Sequence, residues 1–295
     1  MKVQHQMRDN SQSDFYTESH NRNIWAASLD LGFENRNGKT VLSRNVHQGP
    51  LRVQKALYPE APDVCHAVLL HPPGGIVGGD ALAINVRTGE KAHALITTPG
   101  AGKWYRSGGK PAFQTVTLTL AKNSVLEWLP QEVIFFDGTE ASLDMTVRLG
   151  QGASYIACDT FCLGRVEAGE TFDHGLIAMA SRIETHEGLI WSDRFRLTGG
   201  NALLRSAPGM AGFAYASTFL AAGPGLDNGI LDFCRALQDE KGIRSGFTFL
   251  PAGLLVGRCL GMDAEPVRRW FMHAWSVVRP VLAGREAVVP RVWNT

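Results

Sequence analysis

The sequence has no long hydrophobic run, little charge and few cysteines, and each shortage excludes something. No stretch approaches the roughly 18 apolar residues a membrane-spanning helix needs. The nearest, Met210 to Ala222, is short and broken by Gly212, Ser217 and Thr218. Charged residues make up 19% of the 295 and almost cancel, 29 Lys and Arg against 28 Asp and Glu, for a net charge of +1. Phosphate binding needs clustered, uncompensated Lys and Arg, so this balance argues against a nucleic-acid partner. The five cysteines, Cys65, Cys158, Cys162, Cys234 and Cys259, are odd in number. No apolar signal segment precedes them, which points to reduced thiols and a cytoplasmic protein. Met1 to Asn23 is polar and reads as a disordered leader.

Glycine, by contrast, is abundant, with 32 in the chain against a usual share of roughly 7%. Low charge and many tight turns suggest a turn-rich β protein with part of its surface covered by a partner. The pattern from Trp25 to about Leu197 agrees, because apolar and polar residues alternate as in half-buried strands. Val116, Leu118 and Leu120 alternate with Thr115, Thr117 and Thr119. Leu143, Met145, Val147 and Leu149 alternate with Asp144, Thr146 and Arg148, and a further strand is expected near Leu189–Leu197. Asn37-Gly38, Asp137-Gly138, Gln151-Gly152 and Glu187-Gly188 supply the turns.

The last third changes period. Ile230, Phe233, Cys234 and Leu237 recur at helical spacing behind a capping Asp227. Val267, Trp270, Phe271, Ala274, Trp275 and Val278 form a longer apolar stripe, with Asp263 as its cap, Pro266 in its first turn and Pro280 expected to kink or end it. The expected organisation is one domain, residues 24–295, with helices near 227–240 and 264–283.

Motifs for catalysis are mostly missing. Gly74-Gly75-Ile76-Val77-Gly78-Gly79-Asp80 fails the dinucleotide fingerprint, and the alternating Leu82, Ile84 and Val86 after it make a strand rather than a phosphate-binding helix. Close backbone packing explains these glycines better. Gly102-Lys103 is not a P-loop, because Thr97 and Trp104 stand where glycine and Ser or Thr are needed. No G-x-S-x-G elbow is present. Cys158 and Cys162, Cys65-His66, His71 and His93 have no closed zinc spacing, which leaves only a weak, transient site of scattered carboxylates and histidines. Glu127, Glu132 and Asp159 lie inside apolar runs. They either alternate outward to solvent or line a wet interior, since a buried carboxylate needs a partner or water.

The segments His71–Asp80, Thr97-Thr98-Pro99-Gly100, Lys103 with Tyr105-Arg106-Ser107, and Leu126–Glu132 resemble the UreD (UreH) family of urease accessory proteins. So do Leu163-Gly164-Arg165 with Gly169-Glu170, and the closing Pro290–Thr295. The likeness runs in order from about Trp25 to the C-terminus. Cys158 departs from it, where the family usually has an aromatic, as does Trp104, where it often has Phe. The resemblance implies a mainly β, β-helix-like coiled architecture with a small C-terminal helical addition. It also implies a non-catalytic scaffold with no tightly bound cofactor. Such a protein binds UreF directly and UreG through UreF, and the assembly docks on apo-urease. It thereby assists nickel insertion into an active site whose bridging lysine is carbamylated.

On this basis Asp80, Glu127, Glu132, Asp159 and Glu170 are expected to include the polar lining of a transient nickel or water passage, Asp80 and Asp159 foremost. Lys103, Tyr105, Arg106, Arg165, Arg291 and Trp293 are expected to make family-specific contacts or buried ion pairs. Two rivals remain: a cytoplasmic enzyme using the Gly74–Asp80 loop and His71 on a small substrate, and an adaptor that never touches nickel.

Overall fold

The computed structural model describes residues 25–236 and 241–294; the polar leader expected at 1–23 lies outside them, as does Leu237. Strands take 51% of the chain and helix 14%, in a β-solenoid-like arrangement. The chain coils between two facing sheets. In the first sheet, β1 (Trp25–Arg36), β5 (Asp80–Thr88), β8 (Ala112–Leu120), β11 (Glu140–Leu149) and β13 (Leu176–Thr185) lie parallel, each on the coil before. Antiparallel hairpins finish both edges, with β2 (Lys39–Gln48) on β1 and β14 (Gly188–Thr198) on β13. The first hairpin turns at Asn37-Gly38, both with positive φ (54° and 83°), as a tight two-residue turn demands.

The second sheet is built the same way. β4 (Val64–Leu70), β6 (His93–Thr97), β9 (Val125–Leu129) and β12 (Ser154–Leu163) are parallel. β3 (Arg52–Leu57) closes one side, while β15 (Tyr215–Ala222), β17 (Leu254–Gly261) and β16 (Ile243–Leu250) extend the other antiparallel. Two short strands, β7 (Gly102–Trp104) and β10 (Val133–Phe135), pair with each other, and β10 also pairs with the end of β12. The alternation legible in the sequence is thus the alternation between the inside of the coil and its outer faces. On β12, Tyr155, Ala157 and Leu163 join the core between the sheets, whereas Ile156, Cys158 and Cys162 join a second core on the outer face.

That outer face is covered by α1 (Asn228–Arg235) and α2 (Ala264–Ala283). Asp227 caps α1 by accepting the Ile230 N–H at 3.2 Å. The α1 stripe is not the expected one: Leu231 and Cys234 are buried, but Phe233 is 67% exposed. The helix is only two turns long and touches the sheet along a narrow strip, so a wide apolar face is not used. In α2 every expected stripe residue, Val267, Trp270, Phe271, Ala274, Trp275 and Val278, is buried. Asp263 stands at the N-cap position without a capping hydrogen bond, and Pro280 neither ends nor replaces the helix, which continues to Ala283. The missing proline N–H is tolerated within a turn of the helix end, where Gly284 donates back to Pro280 O at 3.1 Å.

Candidate functional site

A cavity of about 870 Å³ lies between the two sheets. Leu82, Ile84, Val116, Met145 and Phe195 of the first sheet face Leu69, Trp128, Phe161 and Leu220 of the second across it. The size and the largely apolar lining with a few polar groups are those of a binding site rather than a packing defect. Exposed residues border it in two places. Pro99, Gly100 and Lys103 stand at one, and Pro208, Arg244 and Arg258 at the other.

The five acids singled out from the sequence are not gathered there. Asp159 is the one that borders the cavity, on the inward face of β12. Burial pushes its carboxyl up to about 6, while the neighbouring Trp128 indole N–H pulls the other way. Its carboxyl therefore holds its proton to a higher pH than an ordinary aspartate, because its surroundings solvate the ionised form poorly. Asp80 instead closes the glycine turn: buried, it accepts the Val77 N–H at 2.9 Å. Glu132 stands beside a separate void of about 30 Å³, shared with Cys158, Thr160, Tyr215 and Arg268. That is room for one water. Glu170 is held in a surface pair by Arg165, at 2.9 Å between Nη2 and Oε1, and this guanidinium lowers its pKa.

Glu127 lies on the opposite face of the second sheet, under α2, at the centre of a buried charge cluster. It accepts from Trp275 Nε1 at 2.7 Å and from Arg279 Nε at 3.0 Å, and His93 Nε2 is 2.7 Å away. Arg279, fully buried, also reaches both oxygens of Glu60, at 2.6 and 2.9 Å, and Glu60 meets His66 Nε2 at 2.8 Å. Burial alone would raise both carboxyls; the His93 and Arg279 contacts outweigh it for Glu127, and the His66 and Arg279 contacts bring Glu60 down to about 2. This cluster fastens helix to sheet.

The contact residues divide similarly. Arg106 and Arg165 form exposed ion pairs with Asp137 and Glu170, not buried ones. Arg165 also lies over the Phe136 ring, which Tyr105 meets edge-on. Arg291 is exposed, and Trp293 is buried, donating from Nε1 to Thr97 Oγ1 at 2.7 Å. Lys103 is exposed at the cavity edge.

The glycine loop is explained by close approach. A side chain at Gly75 would collide with the Tyr105 ring at 2.2 Å, and one at Gly78 with Ser107 O at 2.0 Å. Those backbones are pressed against the 105–110 segment, which leaves no open cradle for a phosphate.

Sequence reasoning missed Arg258 and Asp193 at the cavity, whereas it names His71 for the enzyme alternative. Arg258 pairs with Asp193 at 2.7 Å, joining the two sheets at one edge of the cavity. The period that placed Trp191, Phe195 and Leu197 on one face also places Asp193 there. His71 borders the cavity too, and burial lowers its pKa, so it is a neutral imidazole at pH 7. Among the described residues no group of three or more His, Cys, Asp or Glu could hold a metal ion, and no helix is long and apolar enough to cross a membrane.

Comparison with known proteins covers nearly all of the described chain. The family described as UreD urease accessory protein matches residues 26–294. A urease accessory protein UreD of Dechloromonas aromatica is 46% identical over 274 residues, covering 92% of this chain and 95% of its own. The protein of that name from an Azoarcus species is 47% identical over 271 residues, 92% and 94% of the two chains. That of Pseudomonas aeruginosa is 45% identical over 271 residues, 92% and 95%. With the motifs, the coiled sheets and these relatives in agreement, the chain belongs to the UreD family of urease accessory proteins, whose role is in urease maturation.

Proposed function

We propose that this chain is a non-catalytic scaffold that binds apo-urease together with UreF and UreG in the cytoplasm and gives nickel a passage toward the urease active site. The observation that carries the reading is Asp159, which makes no ion pair among the described residues and stands on the wall of a cavity bordered by exposed residues in two places. Transfer requires weak, successive contacts, because a closed ligand set would hold the ion. Asp159, His71 as a neutral imidazole, and Asp144 and Asp193 elsewhere on a mainly apolar lining are scattered rather than converging ligands, which fits that requirement. The crowded glycine loop weighs against the enzyme alternative, since the backbone meant to hold a substrate is already occupied by residues 105–110.

Of the five acids, the reading now rests on Asp159; Glu127 and Glu170 have arginine partners that explain them as structural. The test is urease produced together with its accessory proteins, with this chain carrying Asp159→Ala. The expected result is urease that still copurifies with the accessory proteins but holds little nickel and little activity. Nickel content equal to the unaltered chain would refute the passage and leave the adaptor reading.

A further inference from the structure

Asp159 differs from the acids held in ion pairs in what stands beside it. Glu127 and Glu60 share Arg279, Glu170 holds Arg165, and Asp193 holds Arg258. No cation is among the groups that act on Asp159; the donor that does is the indole N–H of Trp128. Trp128 is 3% exposed, and its Nε1 has no hydrogen-bond partner among the described residues. Strand register explains the proximity. β9 and β12 are parallel neighbours with Trp128 opposite Ala157. Asp159 is two residues further along the same face, diagonal to Trp128 and within reach of a long aromatic side chain. Both side chains border the cavity. A buried donor without an acceptor and a shielded carboxylate without a donor are each costly, and turning them toward one another removes both costs.

We propose that Trp128 is the positioning residue for Asp159: its indole N–H, directly or across one water, holds the carboxylate facing into the cavity. An arginine in that place would fix the acid equally well but would neutralise it, as in an ion pair such as Arg258 with Asp193. A neutral donor orients the carboxylate and leaves its charge available. The functional consequence rests on the cavity being the nickel route; the pairing itself does not.

Two measurements separate these. In the full chain labelled with ¹⁵N-tryptophan, the Trp128 indole resonance is assigned by its loss in Trp128→Phe. Asp159→Leu is expected to shift that indole proton upfield while the other indoles stay in place; an unmoved resonance overturns the pairing. In cells making urease, Trp128→Phe, which keeps a ring and loses the N–H, is expected to slow nickel loading about tenfold, the effect of one hydrogen bond to a charged group. Trp128→Phe with Asp159→Leu together are expected to load no worse than Asp159→Leu alone. Additive losses would show that Trp128 acts elsewhere and overturn the proposal. A shifted resonance with normal loading in both single variants would uphold the pairing and refute the nickel route.

Discussion

Arg279→Met tests the buried charge cluster most severely. The guanidinium is fully buried and makes two hydrogen bonds from Nε to Glu127, at 3.1 and 3.0 Å, and one from Nη2 to the same carboxylate at 3.0 Å. It binds both oxygens of Glu60 through Nη1 and Nη2. Methionine fills the space but leaves two carboxylates facing each other out of water. Removing one partner of a buried ion pair costs about 3–5 kcal/mol, a large part of a total that is about 5–15 kcal/mol for ordinary domains. For a chain of this size the midpoint of thermal unfolding should fall by about 5 to 8 °C, as followed by circular dichroism. Adding Glu127→Gln to Arg279→Met should recover part of the loss, because one unpaired charge disappears. The pH dependence gives an independent check. Glu60 falls from 4.5 to about 2 on folding, so its contribution is complete above pH 4.5 and is lost as pH drops toward 2. The gap between the native chain and Arg279→Met should therefore narrow below pH 4.5. A difference under about 1 kcal/mol at pH 7, the range of an exposed pair, would refute the reasoning.

Three further expectations follow from other parts of the molecule. Asp159 behaves oppositely to Glu60: its pKa is raised from 3.8 to about 6, so its ionisation disfavours folding once pH rises through that window. Asp159→Asn should accordingly stabilise the chain at pH 7.5, on the order of 1–3 kcal/mol, with the gain vanishing below pH 4; a destabilised variant at pH 7.5 would contradict this. Gly78→Ala, whose Cβ would lie 2.0 Å from Ser107 O, should abolish soluble expression, whereas Gly100→Ala, with nothing within 4 Å, should unfold at the native temperature. Burial holds the thiol of Cys158 up at about 12 and that of Cys162 at about 11, so neither should react with a disulfide reagent at pH 8 until denaturant is added; rapid labelling of the folded chain would count against the described packing.

What could be read from the sequence was what depends on near neighbours. The alternation of β8 and β11, the Asn37-Gly38 turn and the α2 stripe are local patterns, and each reappears in the structure. The coiled architecture came from the family resemblance, because alternation alone does not say whether strands pair in order or wind. Glu127 shows where local reading stops. Its position in an apolar run left open whether it faces solvent or a wet interior, and the partners that bury it, Trp275 and Arg279, lie 148 and 152 residues away. Nothing near Glu127 tells which face of its strand looks into the cavity and which looks under the helix. Phe233 failed for the opposite reason: its spacing is helical, yet the short α1 has no second surface to cover it.

The long reach of Arg279 also orders events during synthesis. Each parallel coil can settle on the one before it as the chain emerges, since β5, β8, β11 and β13 pair with strands already made. Glu60, however, waits for a guanidinium encoded 219 residues later. Until α2 leaves the ribosome, the outer face of the second sheet is both uncovered and negatively charged. A segment made long after them is thus the latch for the first coils, and a chain stopped short of residue 279 has built its solenoid without the part that closes it.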